Sequence, residues 1–241
     1  PEMPKPQITM MPEQVSERQP LVSPKQFTVT NDYVQLEVQF PLKVISSAVH
    51  NAGMGWYNNF LNRSIAPSYN IEDVKEETVQ FLLERGFSLT NTVVMLTAVT
   101  ANLVAIRSFH HERFSITIAV TAGVGNAVDV TRTYERQEIP YIGTINTWVI
   151  VNGKLSDEAF YQAMITATEA KTKALAEEEI RDVQTNTIAT GTATDSLLIA
   201  ATQHGEEMPY AGPITDVGKL IGHGVFETTV EAIRKYKQSK N

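Results

Sequence analysis

Three segments share one composition of glycine, threonine and asparagine: Thr121-Ala122-Gly123-Val124-Gly125-Asn126, Gly143-Thr144-Ile145-Asn146-Thr147 and Thr190-Gly191-Thr192-Ala193-Thr194-Asp195. A fourth, Ser46-Ser47-Ala48-Val49-His50-Asn51-Ala52-Gly53-Met54-Gly55, follows an apolar run around Val44. Small residues let a backbone approach a ligand closely, and N–H groups exposed in glycine turns form nests for a carbonyl oxygen, an oxyanion or a phosphate. One such segment is most often only a turn. Four in one chain point to a binding surface. Asp195 closes the third run just ahead of the apolar Ser196-Leu197-Leu198-Ile199-Ala200. A carboxylate there suits orienting a water or holding a threonine hydroxyl, and its plainer role is a cap.

Other candidates stand alone. His50 lies inside the Ser/Gly segment and His223 between Gly222 and Gly224, where each could serve as a base or a loop donor. His110 and His111 are adjacent beside Glu112 and Arg113, and neighbours in extended backbone point to opposite faces, so they read as a solvated loop. Glu169 and Lys171, two apart on a helical pattern, face different directions, and their plainer role is a solvated surface. Thr166, Thr168 and Thr172 are out of place in a helix interior, because β-branched residues lose rotamer freedom there. Several chemistries are absent: Val128 stands where a dinucleotide fingerprint needs its third glycine, and no Walker A loop, nucleophile elbow or His-Glu-x-x-His helix occurs. No metal site is expected.

Composition narrows the classes further. The chain has 241 residues, 42% hydrophobic and 20% charged, as a folding globular domain does, and Lys+Arg 20 against Asp+Glu 27 leaves a net charge of −7. Such a field repels nucleic acid and anionic lipid alike. With no cysteine, disulfides, thiolate nucleophiles and Cys-ligated metals are excluded, so any nucleophile is an oxygen. The start, Pro1-Glu2-Met3-Pro4, has neither a basic leader nor an apolar stretch, and the longest apolar run, Val93–Ile106, is too short and polar to span a bilayer. The expected location is the cytoplasm.

These candidates must be held by a scaffold. Six prolines fall in the first 24 residues, which predicts an extended arm over 1–25 and one domain from 26 to 241. Val34, Leu36, Val38 and Phe40 alternate with polar residues after a Thr30-Asn31-Asp32 turn, predicting a strand and an opening hairpin. Asn70 to Gly86 predicts a helix; Val93–Leu96, Phe114–Val120 and Thr144–Val151 predict buried strands; and a strand pair is expected within 187–202. Ser156 opens a long helix over about 157–180 whose closing acids, Glu177, Glu178 and Glu179, oppose the helix dipole and must fray or pair elsewhere. Thr215 caps a last helix reaching about Lys237. Strands follow one another directly as well as alternating with helices, so the fold class is α/β or α+β, a mixed sheet covered by helices.

Taken together, Ser46-Ser47-Ala48, Thr121 to Ala127, Gly143 to Thr147, Thr168-Glu169-Ala170-Lys171, Thr190 to Asp195 and the closing Ala211-Gly212 to Gly218-Lys219-Leu220-Ile221-Gly222 resemble, in order and spacing, the adenosylcobinamide amidohydrolase family over about residues 40–236. The resemblance implies hydrolysis of the amide joining aminopropanol to the corrin ring of adenosylcobinamide, with the corrinoid as substrate, no further cofactor and metal dependence open. A broad, amide-fringed macrocycle suits a wide surface of small residues and backbone donors. On that reading Asp195 or Glu169 activates water while Asn126, Asn146 and the Gly123 and Gly125 amides hold the oxyanion. Ser46, Ser47, Asn51, Thr121, Thr144, Thr147, Thr192, Thr194 and His223 would contact substrate. A Ser47 or Thr192 nucleophile is the alternative, and it requires His50, Lys171 or a carboxylate within hydrogen-bond reach. Opposing readings are a non-catalytic corrinoid- or nucleotide-binding module and a protein that oligomerises through Val93–Ile106.

Overall fold

The computed structural model describes residues 21–66, 74–134, 136 and 143–241. Residues 1–20 of the expected arm, Asn70 to Asp73 of the first expected helix and the approach to Gly143 lie outside the described residues. The last residues of the expected arm belong to the folded body: Val22 is buried and is held by Asn152, which accepts its N–H at 2.7 Å and donates to its carbonyl at 2.8 Å.

In chain order the strands are β1 (Phe27–Val29), β2 (Tyr33–Ser46), β3 (Gly53–Ser64), β4 (Thr92–Thr97), β5 (Ala105–His110), β6 (Ser115–Ala122), β7 (Ala127–Val128), β8 (Ile145–Asn152), β9 (Lys154–Leu155), β10 (Gly191–Thr192), β11 (Ser196–Ala201) and β12 (Glu207–Met208). The helices are α1 (Val74–Arg85), α2 (Asp157–Glu177) and α3 (Asp216–Gln238). β1 and β2 form the expected opening hairpin, with the Thr30 hydroxyl accepting from the N–H groups of Asp32 and Tyr33. Ser156 and Thr215 cap α2 and α3 by accepting from Ala159 and Gly218.

One mixed eight-stranded sheet runs β4-β3-β2-β11-β8-β6-β5, with β1 added beside β2. The strand pair expected within 187–202 does not form. β11 lies parallel to β8 and antiparallel to β2, while β10 pairs with β7 in a small separate ribbon. Three residues, Ala193, Thr194 and Asp195, lie between β10 and β11 and carry the turn Asp195 closes, and that turn breaks the run a sequence pattern joins.

The long β2–β3 ribbon shifts register between Glu37 and Leu42, and beyond that irregularity the sheet turns back over itself. Phe60 of β3 packs edge-on against Trp148 of β8, and the Trp148 indole N–H points at Met95 Sδ of β4 at 3.2 Å, although neither β3 nor β4 is a strand neighbour of β8. The alternation along β8 shows the layering. Trp148 and Ile150 face this inter-sheet core, whereas Ile145, Val149 and Val151 face a second core under α2 and α3. On the outside of the folded-over layer, Phe81 and Leu82 of α1 cover Leu61 and Val94. Four layers result, helix, sheet, sheet and helix, with β8 buried along its whole length between them.

Glu178, just past the end of α2, does not fray. It pairs with Arg234 at 2.8 Å and Lys237 at 3.1 Å on α3. Burial would raise its pKa, yet those two cations hold the carboxyl below its ordinary value. Of the acids that oppose the dipole at this helix C-terminus, Glu178 thus fastens α2 to α3.

Candidate active site

The strand registers bring the glycine-threonine segments to one end of the inner sheet. Thr121 of β6 stands opposite Asn146 of β8, Asn146 is level with Ser196 of β11, and β11 in turn pairs its Leu198 with Ser46 of β2. At a strand spacing of about 4.8 Å, these four strand ends span roughly 15 Å. Segments separated by up to 150 residues of chain therefore share one rim.

At that rim a cleft of about 630 Å³ opens. Gly123, Gly125, Asn126 and Gly143 form one wall, Asn31, Thr100 and Asn102 another, and Tyr236 and Lys240 reach in from the end of α3. Gly143 is required for this wall: a Cβ there would lie 2.0 Å from Asn126 Oδ1 and 2.7 Å from the Gly123 carbonyl oxygen. The lining offers amide groups that both donate and accept, suited to a ligand carrying amides of its own.

Immediately behind this wall lies a charged cluster. Asp195 accepts from the Ile145 N–H at 3.0 Å, from the Thr192 N–H at 3.1 Å, from the Thr192 hydroxyl at 2.5 Å and from Lys171 Nζ at 2.7 Å. Lys171 and Asp195 are mostly buried, with side chains 15% and 20% exposed. Gly191 makes room for them, because a Cβ at that position would meet Asp195 Oδ2 at 2.3 Å and Lys171 Nζ at 2.7 Å. Thr194 and Thr144 complete the join: the Thr194 hydroxyl donates to the Gly143 carbonyl and the Thr144 hydroxyl to the Thr194 carbonyl. Thr192 stands opposite Ala127, next in sequence to Asn126 of the cleft wall.

Other expected site residues have different occupations. Asn146 is 1% exposed and spends both amide hydrogens inside the protein, on Asn62 Oδ1 at 2.7 Å and the Leu96 carbonyl at 2.8 Å. Asn62 donates in turn to the Thr121 hydroxyl at 2.8 Å. This knot ties the two sheet layers and leaves Asn146 no donor for an oxyanion. Asn51, at φ +55°, donates to the Leu89 and Thr92 carbonyls, and His50 also engages the Leu89 carbonyl, so both fasten the crossover to β4. Ser47 bonds with Ser196 and Leu197 beside β11, with no ionisable partner, while the Ser46 hydroxyl is buried among the described residues without a hydrogen bond. Thr147 follows Asn146 on β8 and so points to the helix-covered face. Glu169 is exposed on α2, two positions from Lys171 and turned away from Asp195. His223 sits early in α3 with its ring edge-on to Phe109, roughly 20 Å along the helix from Tyr236 of the cleft at 1.5 Å per residue.

A further acidic pair shapes the loop between β7 and the cleft. Asp182, fully buried, accepts from the N–H groups of Asp129, Gln184 and Thr185 and pairs with Arg136 at 2.6 Å. Burial would raise its pKa, but these donors hold it below the ordinary carboxylate value; Asp129 is lowered as well, by the hydroxyls of Thr187 and Thr131. Nothing in the sequence marks Asp182, Arg136, Asn62 or Tyr236, since their partners lie far along the chain. Among the described residues no group of three or more His, Asp or Glu side chains is placed to hold a metal ion, and no helix is long and apolar enough to cross a membrane.

The fold is a mixed α/β one, and residues 19–241 match the family model described as adenosylcobinamide amidohydrolase. The chain belongs to the adenosylcobinamide amidohydrolase family. An adenosylcobinamide amidohydrolase of Methanosarcina mazei is 31% identical over 175 residues, 71% of this chain and 78% of that protein. An uncharacterized protein of Methanocaldococcus jannaschii is 38% identical over 100 residues, 41% of this chain, and an uncharacterized ABC transporter ATP-binding protein of Bacillus subtilis is 25% identical over 201 residues, 83% of this chain. The chain spans 39% and 37% of the lengths of those last two relatives.

Proposed function

We propose that this protein hydrolyses the amide between the aminopropanol side chain and the corrin ring of adenosylcobinamide, releasing adenosylcobyric acid and 1-aminopropan-2-ol. The observation that carries this reading is a cleft presenting the amides of Asn31, Asn102 and Asn126, walled by glycine turns, in a chain of this family. Amide hydrolysis needs an attacking oxygen, donors for the oxyanion and a proton for the departing amine. Asn126 and the backbone N–H of Gly125 are the donors, the Gly123 N–H being spent on the Thr144 carbonyl at 2.9 Å, and the Asp195–Lys171 pair behind Gly143 handles the proton. The corrinoid enters as substrate, its peripheral amides exchanging hydrogen bonds with the asparagines. The carboxylates that bear on the reaction reduce to Asp195, because Glu169 faces solvent on the far side of α2.

The test is mass-spectrometric detection of cobyric acid and aminopropanol after incubation with adenosylcobinamide, run with and without a chelator. Both products should appear, and Asn126→Ala should slow their release by roughly 10²–10³-fold. Tight binding of adenosylcobinamide with no aminopropanol released would instead make the chain a corrinoid-binding module.

A further inference from the structure

The geometry points to Thr192 as the attacking oxygen of the site, with Asp195 and Lys171 as its proton relay, an inference that rests on the hydrolase reading above. The choice follows from counting acceptors. An ionised carboxylate offers about four acceptor positions. Those of Asp195 are met by the Ile145 N–H, the Thr192 N–H, the Thr192 hydroxyl and Lys171. A water seeking activation would have to displace one of them. The Thr192 hydroxyl already donates along the required line, at 2.5 Å.

The other hydroxyls of the rim lack a carboxylate partner, and that of Ser46 is buried without a hydrogen bond among the described residues. Thr144 and Thr194 donate to backbone carbonyls, Thr121 accepts from Asn62, and Ser47 bonds with Ser196 and the Leu197 N–H. Thr131 and Thr187 also donate to a carboxylate, that of Asp129, but Asp129 has no ion pair among the described residues and lies off the strand ends. At Thr192 a hydroxyl, a carboxylate and an ammonium stand in line. Thr192 is half-buried, the two residues after it are exposed, and its strand partner Ala127 adjoins Asn126 on the cleft wall.

In the acylation step, Thr192 Oγ1 bonds to the amide carbon while its proton passes to Asp195. The carbon–nitrogen bond then breaks as that proton moves to the departing nitrogen, so aminopropanol leaves neutral and the acyl group stays as a threonyl ester. In the second step water gives a proton to Asp195 and adds to the ester carbon. The ester C–O bond breaks, the proton returns to Thr192 and the carboxylic acid departs. Lys171 keeps Asp195 aimed at Thr192 and offsets its charge throughout.

Two measurements separate this assignment from the substrate reading. Acid-quenched protein from a reaction with adenosylcobinamide should carry the acyl group on the peptide containing Thr192. Thr192→Val should release aminopropanol at least roughly 10³-fold more slowly than wild type, while Thr192→Ser retains turnover. Independently of corrinoid, 4-nitrophenyl acetate should acetylate Thr192 in the wild-type protein, and Lys171→Met should suppress that labelling at unchanged circular dichroism. Labelling of Thr192 without any aminopropanol release would keep the nucleophile and overturn the corrinoid reading. Undiminished aminopropanol release by Thr192→Val, or release without labelling at Thr192 by either reagent, would overturn the nucleophile and leave the hydrolase reading standing.

Discussion

Asn146 illustrates how a residue of the right type can sit at the right rim and still have another task. Its amide bridges Asn62 and the Leu96 carbonyl across the two sheet layers, all within the protein interior. Truncation to alanine would leave an amide oxygen and a carbonyl oxygen buried without a donor, each costing about 1–3 kcal/mol. Asn146→Ala is therefore expected to lower the urea midpoint by an amount equivalent to about 2–6 kcal/mol, with the slope of the transition unchanged. A stability loss under 0.5 kcal/mol, read as a shift in midpoint, would show that the knot does not hold the layers. At the same scale, Thr166 and Thr172 have an explanation. Their hydroxyls leave α2 to reach the carbonyls of Ala211 and Thr190, tying the helix to the segments before α3 and β10. Thr168 bonds back to Met164 within its own helix. Their oddity was legible in the sequence; their partners, 18 and 45 residues away, were not.

Among elements, the β7–β10 ribbon and the loops around it depend on buried carboxylate chemistry. The Asp182 carboxyl is lowered below its ordinary value despite burial, because three backbone N–H groups and Arg136 favour the charged form. A group lowered on folding adds stability that is fully present above its unfolded pKa, about 3.9, and is lost as the pH falls through the lower folded value. Stability of the wild-type protein should thus decline as the pH falls from about 5 toward 2, and Asp182→Asn should flatten that decline while weakening the fold at neutral pH. Equilibrium unfolding at a series of pH values checks both parts, and an unchanged acid slope in the variant would rule out Asp182 as a source. The α2–α3 junction shows a related economy. The acids closing α2 were predicted to fray or find partners, and Glu178 found Arg234 and Lys237.

Over the whole molecule, the doubled sheet places the two tryptophans in opposite surroundings. Trp148 lies between the layers at 2% exposure, and Trp56 on β3 is 54% exposed. Emission from Trp56→Phe should be blue-shifted and resist acrylamide, and emission from a Trp148→Phe variant should be red-shifted and readily quenched. Comparable quenching of the two would contradict the folding-over of β3 and β4. The same doubling explains why β2, β6, β8 and β11 deliver their ends to one rim, with α3 ending beside it.

By itself the sequence determined the local elements and the composition of the rim. Period-2 alternation, capping residues and glycine turns are short-range signals, so β2, β6, β8, α2 and α3 were readable within a few residues, as was a cluster of small polar loops. Only the tertiary structure decided which of those loops meet and what each side chain does there. The pairing of Lys171 with Asp195, the burial of Asn146 and the distance of His223 from the cleft depend on strand order and on the turn of the β2–β3 ribbon. Those features arise from contacts between residues remote in sequence, where burial and hydrogen-bond satisfaction override local preference.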